Sequence, residues 1–183
     1  QLNKSRLSFG VGVGIVNLSL NGAELRAYNT VFRPCNEATS WAGIEFTRTT
    51  LGSTLPTGNL RECTFINADV ALNIGEYRIR NGLPRQFPSQ MISDITIQDN
   101  LFSNCRRGIR ISNLAPNQAI SGNDFQIDNV DNITFHDINC DPITNRDDYM
   151  GIQLFSSVNA IELRAEYALN IHQNTFIDAT PVA

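Results

Sequence analysis

Short runs in which apolar and polar residues alternate dominate this chain. Valine, isoleucine, threonine and phenylalanine alternate with polar residues in these runs. That is the pattern of a strand with one face buried. No stretch sustains a 3.6-residue apolar period, and polar excursions rich in Asn, Gly and Pro separate the runs, so an all-β fold is expected. Asparagine occurs 21 times, an excess that fits turns and stacked ladders better than helices, where its side chain competes for backbone hydrogen bonds.

The strands carry a repeat. NLRECTFINADVALNI from Asn59 aligns without a gap to TIQDNLFSNCRRGIRI from Thr96. Leu60 then matches Ile97, Phe65 matches Phe102, Asn67 matches Asn104, Ala68 matches Cys105, Leu72 matches Ile109 and Ile74 matches Ile111. NIHQNTFIDA from Asn170 is a third copy, with Phe176, Asp178 and Ala179 at the Phe, Asn and Cys places. AYNTVFRPC, with Phe32 and Cys35, and ITFHDINC, with Ile138, Asn139 and Cys140, are looser copies, and their second strands arrive late as GIEF from Gly43 and GIQL from Gly151. The anchors 32, 65, 102, 138 and 176 lie 33, 37, 36 and 38 residues apart. A period that varies in this way suits a β-solenoid, whose strands are fixed in place while its loops vary, better than ankyrin or tetratricopeptide units. Each coil should hold a strand of the type I-T-I-x-D-N-x-F, a turn, a strand G-I-x-I, and a long excursion with a third short strand. Stacking at about 4.8 Å would place Phe32, Phe65, Phe102 and Phe176 in one aromatic column and Asn in ladders.

These phrases resemble the pectin-lyase-like right-handed parallel β-helices, in particular the repeat segments of large secreted bacterial surface proteins. The resemblance covers most of Asn59 to Ala183 and weakens before Tyr28. It implies an all-β, right-handed parallel β-helix of about 33–38 residues per coil, a single domain over 1–183, and a carbohydrate or surface theme, because this superfamily shares architecture rather than one activity.

With 42% hydrophobic and 17% charged residues the chain can build one continuous core. No run is long and apolar enough for a spanning helix, and the opening QLNKSRLSFG lacks the apolar block of a secretory signal. A net charge of −4 argues against nucleic acid as the main partner. Lys4 is the only lysine and the other 13 positive residues are arginine, a bias suited to bidentate pairing with carboxylates.

Candidate chemistry is sparse. Asp147 and Asp148 in NRDDYMG are the candidate catalytic carboxylates, since a pair can act as acid and base on a glycosidic bond. β-Helix polygalacturonases carry a similar D-D phrase, but their flanking N-T-D and G-H-G are missing here, and a solvated acidic turn is the favoured reading. Asp141, Asp147 and Asp148 also offer hard oxygen ligands for calcium, though in no defined calcium-loop spacing. Arg106, Arg107 and Arg110, with Arg78, Arg80 and Arg85, could line a face for an acidic polysaccharide, Arg107 doubling as a catalytic candidate. The W-I-D-H and R-x-P-x-x-R phrases of the similar pectate lyases are absent, and salt bridges between coils to Glu62, Glu76 or Asp99 are the preferred account. His136 and His172 read as outward residues of one strand position in successive coils.

Cys35, Cys63, Cys105 and Cys140 form no C-x-x-C pair, so zinc and redox motifs are disfavoured. Cys35, Ala68, Cys105, Cys140 and Ala179 close the same phrase and are expected in a small-residue interior column, with Cys105 and Cys140 as stacked thiols on adjacent coils. GVGVGI from Gly10 reads as an edge strand. The ends lack a cap, which suggests a piece of a larger protein that meets flanking segments or neighbouring subunits. The functional expectation is a structural or adhesive β-helix segment of an extracellular or surface protein, with glycan binding along one face and no cofactor. The rival is a polysaccharide lyase or glycoside hydrolase.

Overall fold

The computed structural model describes residues 1–18, 24–47, 57–74, 78–80, 83–85, 95–112, 118–127, 133–136, 142, 150–155, 169–173 and 175–178. Among them there is no helix. The chain makes repeated circuits of three strands. The first holds β1 (Leu2–Asn3), β2 (Arg6–Phe9) and β3 (Gly14–Leu18), and the second β4 (Glu24–Tyr28), β5 (Val31–Pro34) and β6 (Gly43–Thr47). The third holds β7 (Thr57–Arg61), β8 (Thr64–Ile66) and β9 (Val70–Ile74). After β10 (Arg78–Arg80) and β11 (Leu83–Arg85) come β12 (Ile95–Gln98), β13 (Leu101–Ser103) and β14 (Arg107–Ser112). The fifth circuit holds β15 (Gln118–Ser121), β16 (Asp124–Ile127) and β17 (Met150–Phe155), and β18 (Leu169–His172) and β19 (Thr175–Asp178) follow.

Each circuit adds one strand to each of three sheets. The first runs β1-β4-β7-β12-β15-β18, the second β2-β5-β8-β13-β16-β19 and the third β3-β6-β9-β14-β17, and every pairing within them is parallel. This arrangement is compatible with a parallel β-solenoid. The aligned phrases pair in the expected register: Leu60 with Ile97, Phe65 with Phe102, Leu72 with Ile109 and Ile74 with Ile111. Apolar residues of all three sheets, among them Leu60, Ile97, Phe65, Phe102, Leu72 and Ile109, belong to one buried core. The second sheet supplies stacked rings, with centroids 5.0 Å apart for Phe32–Phe65, 4.9 Å for Phe65–Phe102 and 4.7 Å for Phe102–Phe125.

The fourth place in that column corrects the sequence register. Phe125 pairs with Phe102 on one side and with Phe176 on the other, so the anchor at Ile138 is replaced by Phe125. The circuits therefore lie 33, 37, 23 and 51 residues apart (32 to 65, 102, 125 and 176), a wider range than 33–38. The phrase ITFHDINC belongs to an excursion between β16 and β17. There Ile133 and Phe135 form a small second core with Ile127, and Thr134 bridges to Thr39 of the second circuit. The expected column of small residues also changes, because Cys35 is exposed and Trp41 takes the place opposite Ala68.

The phrase I-T-I-x-D-N-x-F is two strands rather than one, split by a tight corner. Lys4, Asn29, Glu62, Asp99, Gly122 and Gln173 hold that corner in six successive circuits, each with φ between 47° and 65°. The left-handed conformation turns the chain in a single residue, at a cost that a side chain other than Asn, Asp or Gly must be held to accept. Holding it is the ladder, which runs on through the corner: Asn29 N–H donates to Arg61 O (3.0 Å), Glu62 N–H to Gln98 O (3.1 Å) and Asp99 N–H to Ser121 O (3.0 Å).

The excursion after Ile74 contains β10 and β11, which pair antiparallel as a separate hairpin rather than as a third strand of the stack. The strand expected from GVGVGI begins at Gly14, at the edge of the third sheet; before it, Val13 N–H donates to Gly10 O across a turn.

Candidate functional site

The residues that follow four of these left-handed corners, Thr30, Cys63, Asn100 and Asn123, are buried. Asn100 and Asn123 are 2% and 0% exposed. Asn100 Oδ1 accepts from the N–H of Cys63 one circuit back (2.9 Å), and Asn123 Oδ1 accepts from the N–H of Asn100 (3.0 Å). Asn100 Nδ2 donates to Leu60 O (3.0 Å) and to Asn123 Oδ1 (2.9 Å), while Asn123 Nδ2 donates to Ile97 O (3.1 Å). Each carboxamide thus serves an amide and a carbonyl that the tight corner takes out of the strand ladder, which is what a buried backbone requires. Thr30 and Cys63 hold the same place in earlier circuits, with their side chains donating to Tyr28 O (3.0 Å) and Arg61 O (3.2 Å).

A second left-handed corner, at Asn67 and Asn104 with φ of 52°, leads from the second sheet into the third, and the arginine cluster follows it. Arg106 and Arg107 are 7% and 9% exposed, and Arg106 Nε donates to Asp69 Oδ1 at 2.5 Å. The backbone locks this pair in place, Arg106 N–H donating to Ala68 O and Arg107 N–H to Asp69 O. The arrangement is a salt bridge between circuits, as expected, but its partner is Asp69; Glu62 instead meets the hydroxyl of Tyr28, which raises the tyrosine's pKa. Two buried charges in such contact are costly to separate, and they bind the third circuit to the fourth. Arg110 is half-buried on β14, opposite Asn73 and Gln153. Arg78 and Arg85 are cross-strand partners in the β10–β11 hairpin.

Asp141, Asp147 and Asp148 lie outside the described residues, as do Cys140 and its expected stacking on Cys105. Among the described residues, no three His, Cys, Asp or Glu converge to hold a metal ion, and no helix is long and apolar enough to cross a membrane. The two histidines are not equivalent positions. His172 pairs with Ser121 in the first sheet, whereas His136 sits in the excursion, its N–H donating to Ser40 Oγ (2.8 Å). Cys105 is buried, and burial pushes its thiol up to about 12.

One concave site was not anticipated from the sequence. A cavity of about 410 Å³ lies between the outer side of the second sheet and the excursion, lined by Arg33, Glu37, Ile66, Asn67, Asn104 and Ile133 with Pro34 and Ala38. Arg33 enters it from β5, because alternation turns Phe32 inward and its neighbour outward. Its Nη2 donates to Glu37 Oε1 (2.9 Å) and its Nε to Pro34 O (3.3 Å). Asn67 is held by its left-handed backbone and by donation from Nδ2 to Glu37 O (2.8 Å). The excursion closes the cavity through Thr134 N–H, which donates to Ala38 O (3.0 Å). Only the long-range return of segment 133–136 creates this site, and local patterns carry no signal of it.

Compared with known proteins, the chain matches no family model, no curated protein and no solved structure.

Proposed function

We propose that the circuits form a right-handed parallel β-helix of the pectin-lyase-like kind, and that this helix is a structural and adhesive segment of an extracellular or cell-surface protein. The observation that carries the reading is the stack of like on like: a continuous Phe column with an Asn ladder beside it. Such an interior serves to extend a rod one circuit at a time, and its side chains are committed to one another. The outer face of the first sheet is then the natural place for a glycan chain. Asn3, Tyr28, Arg61, Gln98 and Ser121 follow one another across it in register, and Tyr28 is 43% exposed. An aromatic ring beside hydrogen-bonding side chains suits a sugar face and its hydroxyls.

The test is to pass the chain over immobilised acidic and neutral polysaccharides while following reducing ends and the ultraviolet absorbance of unsaturated products. The reading expects retention without turnover, and weaker retention for Tyr28→Ala and Arg61→Ala. Turnover would contradict it in favour of a lyase or hydrolase, and retention indifferent to both substitutions would remove the first sheet as the adhesive face.

A further inference from the structure

The cavity between the second sheet and the excursion has a chemistry that the scaffold reading does not use. We propose that it is a binding site for a small organic carboxylate, a monoanion with an apolar body of a few carbons and a neighbouring hydroxyl. Its volume of about 410 Å³ lies within the range of small-molecule clefts. Arg33 is the one cation among its lining residues, and a guanidinium presents a planar fork that matches a carboxylate.

That match is already made within the chain, by Glu37. The two partners are unequal: the Arg33 side chain is 18% exposed and the Glu37 side chain 81%. Arg33 is held in the wall, whereas the Glu37 carboxylate reaches in from solvent and can return to it at little cost, as surface pairs do. An incoming carboxylate therefore takes the place of Glu37 on Arg33. Asn67 is fixed through Nδ2, which leaves its Oδ1 to accept from the hydroxyl of the ligand. Pro34, Ala38, Ile66 and Ile133 supply the apolar wall for the carbon chain. A phosphate dianion fits less well, because one guanidinium faces it and Glu37 repels it.

The experiment titrates the full chain with 2-hydroxybutyrate, its amide and inorganic phosphate, read by calorimetry and by the emission of Trp41. That ring is fully buried and donates from Nε1 to the carbonyl of Ile66 in the cavity wall (2.8 Å). The proposal expects one site for 2-hydroxybutyrate per chain, at least tenfold weaker binding in Arg33→Gln, and several-fold tighter binding in Glu37→Gln, where the competing carboxylate is gone. Native Trp41 emission before titration shows that each variant has kept its fold. Since Glu37 is exposed, Glu37→Gln carries the test if Arg33→Gln unfolds. Binding of the amide as strong as that of the acid, tighter binding of phosphate, no gain in Glu37→Gln, or no binding of 2-hydroxybutyrate to either the native chain or Glu37→Gln would each overturn it.

Discussion

At the residue scale, two buried side-chain types decide whether a corner can be closed. Replacing Asn100 by Ala removes the acceptor of Cys63 N–H and the donor to Leu60 O, both buried. With about 1–3 kcal/mol lost for each of the two groups left unsatisfied, Asn100→Ala should lower stability by about 2–6 kcal/mol in urea denaturation. Cys105 stands one corner further on, where burial, opposed by a backbone hydrogen bond from Ala68 and reinforced by the charge of Asp69, holds its thiol near 12. The unfolded thiol ionises near its ordinary value of 9.0, so this contribution to stability is intact below that pH and is lost as pH rises from there toward 12. At pH 8.5 the native thiolate is scarce. Peptide-mapped alkylation should label exposed Cys35 at least about a hundredfold faster than Cys105, and comparable rates would mean that the Cys105 corner is open. The excess of asparagine revealed that ladders exist, but not which residues form them. The repeat, anchored on Phe, also matches Asn67 with Asn104 two places after it, and these are left-handed corner residues; the ladder residues Asn100 and Asn123 come two places before the Phe.

At the element scale, the second corner explains why the third strand arrives late in two of the circuits. Where the residue two after the column Phe is Asn, as at 67 and 104, it adopts φ of 52° and the chain turns at once into the third sheet. In the second circuit that residue is Pro34, whose ring fixes φ near −65° and forbids the turn. The chain instead detours through Cys35–Ser40 and re-enters at Trp41, which fills the opening with its ring 4.6 Å from that of Phe9. In the fifth circuit it is Ile127, a β-branched residue for which the left-handed region is strained, and β16 continues through it before the longest excursion. The late arrival of GIEF and GIQL was therefore legible, and proline and isoleucine at one position are its cause. Gly43 completes the re-entry with φ of 105°, and a Cβ there would lie 1.7 Å from Val70 O. Gly43→Ala should cost about 3 kcal/mol or more by driving β6 away from β9. An unchanged thermal midpoint would show that this junction is looser than described.

At the scale of the whole molecule, the register decides everything else. Alternation and the gap-free pairing of Asn59 onward with Thr96 onward were enough to obtain parallel stacking and most of the aromatic column. Average spacing does not reveal the step from the fourth circuit to the fifth, because GNDFQI lies only 23 residues after its predecessor whereas ITFHDINC matches the mean distance. The shared phrase of a left-handed residue, a small polar residue, any residue and Phe, as in D-N-L-F, G-N-D-F and Q-N-T-F, would have identified it. The cavity around Arg33 was illegible for a related reason, since it depends on where the displaced segment lands. Disulfide trapping tests the register most directly, in a background with Cys35 and Cys140 changed to Ser. Gln98 and Ser121 are parallel partners on the first sheet, about 4.8 Å apart and within the reach of a disulfide. If Ile138 were the anchor, Gln98 would instead lie beside Thr134. The account predicts ready intramolecular bridging of Gln98→Cys with Ser121→Cys and none of Gln98→Cys with Thr134→Cys; the reverse result would contradict it.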